Sequence, residues 1–199
     1  MDVVRMIIRR FFILFLLFVA TLAQAQSNSL PLVQRHWLEV KTTHFDIYSC
    51  GAMQDVNKLA ARLEQFCKAY SQLAGMQAVA SPPIVVMAFS DHEAMTPFLP
   101  LYQGKPASLS GFFLHGSDEN LIVLSLADSE GMNVIFHEYA HLLFRRNDQI
   151  WPLWLKEGMA EIYSTFETTG YQIQIARPIA QHLYELKHQS LMPLSELFS

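Results

Sequence analysis

The chain has 199 residues, a length that suits one domain with a sizeable core. It carries 14 Lys and Arg against 18 Asp and Glu, a formal net charge of −4. No basic cluster of the kind that nucleic-acid binding needs lies beyond the first ten residues, so a nucleic-acid partner is excluded.

Arg5, Arg9 and Arg10 precede an apolar run from Phe11 to Ala20, and Ala23-Gln24-Ala25 places small residues at −3 and −1. This reads as a cleaved secretory signal peptide over residues 1–25. An uncleaved anchor helix is the alternative; the run is short for a bilayer span, and the A-x-A step favours cleavage. Removing residues 1–25 takes away three basic and one acidic residue, leaving 11 against 17 and a net charge of −6. No later stretch approaches a membrane span. The mature domain, residues 26–199, is therefore expected to be soluble and exported, periplasmic or secreted.

After a polar lead-in from Ser27 to Gln34, Trp37–Ser49 contains two alternating runs, Leu38/Val40 and Phe45/Ile47, which suggest a hairpin or bent strand about Thr42-Thr43. His44 there reads as a half-exposed strand residue. From Met53 to Ala74, apolar residues at Val56, Leu59, Ala60, Leu63, Phe66, Cys67, Tyr70 and Leu73 give the spacing of a long amphipathic helix, with Gly75 as its stop. Its charged face (Lys58, Arg62, Glu64, Lys68) reads as solvated surface. Cys50 precedes this helix and Cys67 lies about 14 residues into it, ~21 Å along the axis, whereas bridged Cα atoms lie within about 7 Å. Two free thiols are expected, Cys67 being buried.

The Ser81-Pro82-Pro83 break leads into Ile84–Phe89, a continuous apolar run expected as a central strand. Ser90 and Glu93 have capping-box spacing for a short helix, with His92 solvated beside the cap, and Leu101–Ser110 reads as a loop. Gly111–His115 and Asn120–Ser125 then suit a hairpin around Gly116-Ser117-Asp118-Glu119. Ser129, with Glu130 in the first turn, starts the next helix, and Arg145-Arg146-Asn147-Asp148 ends it with cations where the dipole favours them. Pro152 opens a further helix reaching about Phe166, and Ile179–His188 is a plausible amphipathic helix. The chain stops on Leu191–Ser199, an apolar run without a polar tail, which suggests a C-terminally incomplete domain.

The chemistry concentrates in His137-Glu138-Tyr139-Ala140-His141. Positions i and i+4 of a helix share a face, so His137 and His141 can present imidazole nitrogens to one point. That is the two-histidine half of a zinc site, with Glu138 placed beside it to polarise a water. The segment Val134–Phe144 is otherwise apolar nearly all round, the pattern of a buried helix. Burying such groups without partners costs several kcal/mol, and a metal compensates them. Tyr139 is expected to pack on the other side of the helix. Glu157 and Glu161, one turn apart on the next helix, compete to be the third ligand.

His137–His141 followed by Pro152-Leu153-Trp154-Leu155-Lys156-Glu157-Gly158-Met159-Ala160-Glu161 resembles the gluzincin metallopeptidases, most closely their peptidase MA-like branch. The resemblance covers most of the mature chain, but only the two zinc segments are specific. It implies an α+β, zincin-like fold: a small mixed twisted sheet packed on a long helix, then the His-Glu-x-x-His helix and a glutamate-bearing helix. It further implies Zn2+ held by His137, His141 and Glu157, with Glu161 accepting an N–H from a ligand histidine. The activity implied is hydrolysis of a peptide or protein substrate by a zinc-activated water, with Glu138 as general base and then acid. Gly111–Leu114 is the candidate sheet edge for an added peptide strand.

Gluzincins usually place an oxyanion-stabilising Tyr or His well downstream. Tyr163, Tyr171 and His182 are available, but none sits in a recognisable motif, and each reads as structural. A second reading therefore stands beside the first: a zinc-binding domain with weak or no turnover, acting as a peptide- or partner-binding module. A third is an envelope protein with an accidental motif. Mass spectrometry of the exported protein is expected to find Gln26 at the N-terminus; an intact Met1 overturns cleavage.

Overall fold

The periodic stretch Met53–Ala74 folds as one 22-residue helix, α1, in the computed structural model. It ends at Gly75, whose φ of 64° is the left-handed conformation that glycine adopts without a Cβ clash. The structure describes residues 34–75, 84–116, 119–128, 131–146, 151–169 and 172–197. The leader, the Ser81-Pro82-Pro83 break, Ser117-Asp118, Ser129-Glu130, Asn147-Asp148 and Tyr171 lie outside the described residues. Residues 36–199 form one unit.

In chain order the strands are β1 (Leu38–Lys41), β2 (Phe45–Ser49), β3 (Ile84–Phe89), β4 (Leu101–Tyr102), β5 (Lys105–Pro106), β6 (Gly111–His115), β7 (Asn120–Ser125), β8 (Glu167–Thr169) and β9 (Gln172–Gln174). The helices after α1 are α2 (His92–Met95), α3 (Gly131–Arg146), α4 (Leu153–Ser164), α5 (Ala180–His188) and α6 (Leu194–Leu197). Five strands form one sheet in the order β1-β2-β3-β7-β6. β3 lies at its centre, parallel to both β2 and β7, while β1 and β6 pair antiparallel at the two edges. The parallel step from β2 to β3 spans the sequence that contains α1, as a parallel connection requires. This is a mixed α and β architecture, compatible with the α+β class. Among the described residues no helix is long and apolar enough to cross a membrane.

The core lies where α1, β2, β3, α3 and α4 bring aromatic side chains together. Phe66 of α1 is fully buried. Its ring stacks on Phe136 at 4.5 Å and meets Tyr139 at 5.7 Å, Tyr163 at 6.1 Å and Phe166 at 5.3 Å. One side chain thus touches residues of α3, of α4 and of the segment just after α4. Offset and edge-on arrangements of this kind add to the stabilisation from burial alone.

Several details differ from expectation. Leu101–Ser110 is not all loop: β4 and β5 form a two-residue hairpin, turned at Gln103 and Gly104 with φ of 51° and 75°. The short helix α2 is capped by Asp91, not Ser90; the Asp91 carboxylate accepts the Ala94 N–H at 2.8 Å, and Ser90 donates to that carboxylate. α4 is shorter than expected, since the chain leaves helical geometry at Thr165. In α5 no residue is buried, and Leu183 and Leu186 are exposed. Both cysteines are free, Cys67 being buried.

The charged face of α1 is not simply solvated. The Arg62 guanidinium lies over the Phe136 ring at 5.5 Å and donates to the Phe166 carbonyl, and burial holds its pKa below the usual value. Glu64 accepts the His44 backbone N–H at 2.9 Å and lies 2.7 Å from the His44 ring nitrogen. Burial pushes the Glu64 carboxyl up, but hydrogen bonds from Thr42 and His44 outweigh it and hold the pKa below the ordinary range. The pair ties the turn between β1 and β2 to α1.

Phe66→Ala is expected to destabilise the domain by about 3–5 kcal/mol, read as a lower midpoint in denaturant unfolding. A loss below about 1 kcal/mol would show that the aromatic cluster is not the joint between these helices.

Candidate metal centre

α3 has two faces. Met132, Ile135, Phe136, Tyr139, Ala140 and Leu143 recur at three- and four-residue steps and are buried in the core. Val134, His137, Glu138 and His141 lie on the other face, where Val134 is exposed and the three ionisable residues are partly exposed. The helix is therefore buried on one side only, contrary to the all-round burial that its composition suggests. Tyr139 sits on the core side, packed edge-on against Phe45 and hydrogen-bonded to Cys67 at 3.2 Å.

α4 packs against α3 through Ala160 and Tyr163, both buried, and this leaves Glu157 and Glu161 one turn apart facing the imidazoles. His137 Nε2 and His141 Nε2 are 3.1 Å apart. Glu157 Oε2 stands 3.4 Å from the first and 3.3 Å from the second. The three atoms form a nearly equilateral triangle. Two ligand atoms bound at about 2.0 Å in tetrahedral geometry lie about 3.3 Å apart, so these residues fit a zinc-sized ion. Two imidazoles with one carboxylate match the donor preference of zinc.

Glu161 occupies the outer position. Its Oε2 accepts the Nδ1–H of His137 at 2.9 Å, which leaves the lone pair of that ring on Nε2, directed at the triangle. Clefts open on both sides of the centre. One, of about 470 Å3, is lined by Asn133, Val134, His137, Glu161, Ile179 and Gln181. The other, of about 270 Å3, is lined by Glu138, His141, Phe144, Arg145, Lys156 and Glu157. Glu138 thus borders the same cleft as two of the three donors.

A second group, His44, Glu64 and Cys67, also brings metal-capable atoms within 4.8 Å of one another. Its members are already engaged: Glu64 with both His44 nitrogens that face it, and Cys67 with Tyr139. Burial pushes the Cys67 thiol up to about 12, with the Tyr139 hydrogen bond acting the other way. This group is a structural brace.

Of the three downstream residues considered as oxyanion donors, Tyr163 is buried among Phe66, Tyr70 and Phe144, and burial raises its pKa. It is structural, as expected. Tyr171 lies outside the described residues. The Nδ1 of His182 lies 3.5 Å from Glu161 Oε1. Sequence reasoning missed this contact because it depends on how the chain returns after β9, which no local pattern encodes.

No protein-family model matches this chain, and no curated protein matches it. The geometry of the centre therefore carries the functional argument.

Elemental analysis of protein purified without chelators is expected to find one zinc per chain. His137→Ala and His141→Ala should abolish retention, whereas Glu161→Ala should weaken affinity about 10–100-fold in chelator competition. Full zinc in Glu157→Ala together with its loss in Glu161→Ala would reverse the assignment of the two carboxylates.

Proposed function

We propose that this chain is an exported zinc-dependent peptide hydrolase with a zincin-like fold, akin to the gluzincins. The observation that supports it most directly is the donor triangle of His137, His141 and Glu157, with Glu138 bordering the same cleft. Zinc held by those three residues would supply Lewis acidity toward a peptide carbonyl and would make water a competent nucleophile near neutral pH. Glu138 accepts a proton from the attacking water as the new C–O bond forms. It then delivers that proton to the amide nitrogen, so the C–N bond breaks with a neutral amine leaving. Glu161 keeps the His137 ring in the tautomer that leaves Nε2 free.

The surroundings support a peptide as substrate. β6 pairs with β7 on one side and forms the other edge of the five-stranded sheet. It also packs against α3, so an extended peptide added to that edge runs alongside the candidate centre. Clefts on both sides of the centre suit a peptide that continues past the bond to be cleaved.

One observation favours a second reading, a zinc-binding module with weak or no turnover. Tyr163 is buried away from both clefts, and His182 is directed at Glu161, so neither stands where it would stabilise an oxyanion.

Glu138→Gln is expected to retain zinc and to lose peptide cleavage by about 10²–10⁴-fold, measured on a peptide library against the wild type. Wild-type protein with full zinc and no cleavage of any peptide would establish the binding-module reading instead. Equal cleavage by Glu138→Gln would remove Glu138 from the mechanism.

A further inference from the structure

We propose that His182 is a positioning residue for the metal centre, acting through Glu161 on the His137 ring. The inference rests on the zinc reading of the site. Glu161 uses its two oxygens separately: Oε2 meets His137 at 2.9 Å, and Oε1 faces His182 at 3.5 Å. A carboxylate held by one contact is free to turn about its last side-chain bond, carrying the acceptor away from the imidazole. The His182 ring nitrogen, within ion-pair range of the other oxygen, restrains that rotation of the carboxylate and therefore the orientation of the ring behind which it stands.

The backbone delivers His182 to this place by a built path. After β9 the chain turns at Ala176, whose φ of 59° is left-handed, a conformation unfavourable for a residue with a Cβ. Neighbouring contacts hold it there. The Ala176 N–H donates to the Ile162 carbonyl at 3.1 Å, and the Arg177 N–H donates to Thr165 Oγ1 at 3.0 Å. The Arg177 guanidinium pairs with Glu167 at 2.7 Å, and Ile175 packs against the core. These contacts strap the start of α5 to the end of α4, so Ile179 and Gln181 wall the larger cleft and His182 reaches Glu161. α5 buries none of its own residues, so nothing in the packing of the core requires a histidine here.

The test is zinc affinity by chelator competition on the 199-residue chain, with thermal unfolding in chelator as the check on folding. His182→Ala is expected to weaken zinc about three- to tenfold, less than the 10–100-fold of a direct partner, without changing the unfolding midpoint of the zinc-free protein. His182→Asn, whose amide N–H can take the place of Nδ1–H, should restore affinity to within about twofold of wild type. In a Glu161→Ala background, His182→Ala should have no further effect, because its route to the metal is gone. Unchanged affinity in His182→Ala, or an equal loss with and without Glu161, overturns the inference and leaves the zinc reading intact. A wild-type chain that takes up no zinc overturns both.

Discussion

One ring holds the two helices that carry the candidate donors at a fixed spacing. Phe66 projects from α1 and lies against Phe136 and Tyr139 on α3 and against Tyr163 on α4. Three helices thus converge on a single buried side chain, and rigid packing resists any rotation of α3 about its own axis. That rotation matters because Phe136 and Tyr139 lie about 100° and 160° round the helix from His137, both on the same side. Seating the aromatic residues in the core turns His137, Glu138 and His141 outward.

Around the centre, groups are arranged by distance from the donor triangle. His137, His141 and Glu157 meet within 3.4 Å of one another, Glu161 stands behind His137, and His182 stands behind Glu161. The triangle draws on α3 and α4, Glu161 on α4, and His182 on α5. The inner residues lie on helices fixed by the core, whereas the outermost is carried by a surface segment strapped in place. Precision in such a site is lost from the outside inward, because each group depends on the next for its orientation.

Much of this was legible in the residues, and the exceptions have a common cause. The apolar period of Met53–Ala74 and the glycine after it define α1 at both ends, and the unbroken run Ile84–Phe89 marks the middle of the sheet. His137 and His141 come together because four residues make about one helical turn. β4 and β5 escaped notice because two residues per strand show no alternation. Composition made α3 look buried on every side, yet neighbouring elements cover only one face. Arg62 and Glu64 were read as solvent-facing because helical period tells which side is polar but not which loops fold over it. His182 belongs to the same class, since its role depends on a chain reversal stabilised by Arg177 and Thr165.

The state of the two sulfhydryls bears on how the domain is made. Cys67 is buried on α1 beside Tyr139, and burial pushes its pKa up to about 12, so it stays a thiol at neutral pH. Cys50 stands at the head of α1, near Ser90. No covalent cross-link joins distant parts of the chain, and the aromatic joint carries the burden that a bridge bears in many small exported domains. The described fold is held by packing and hydrogen bonds, not by a disulfide. A reducing environment therefore removes none of the ties described between α1, α3 and α4.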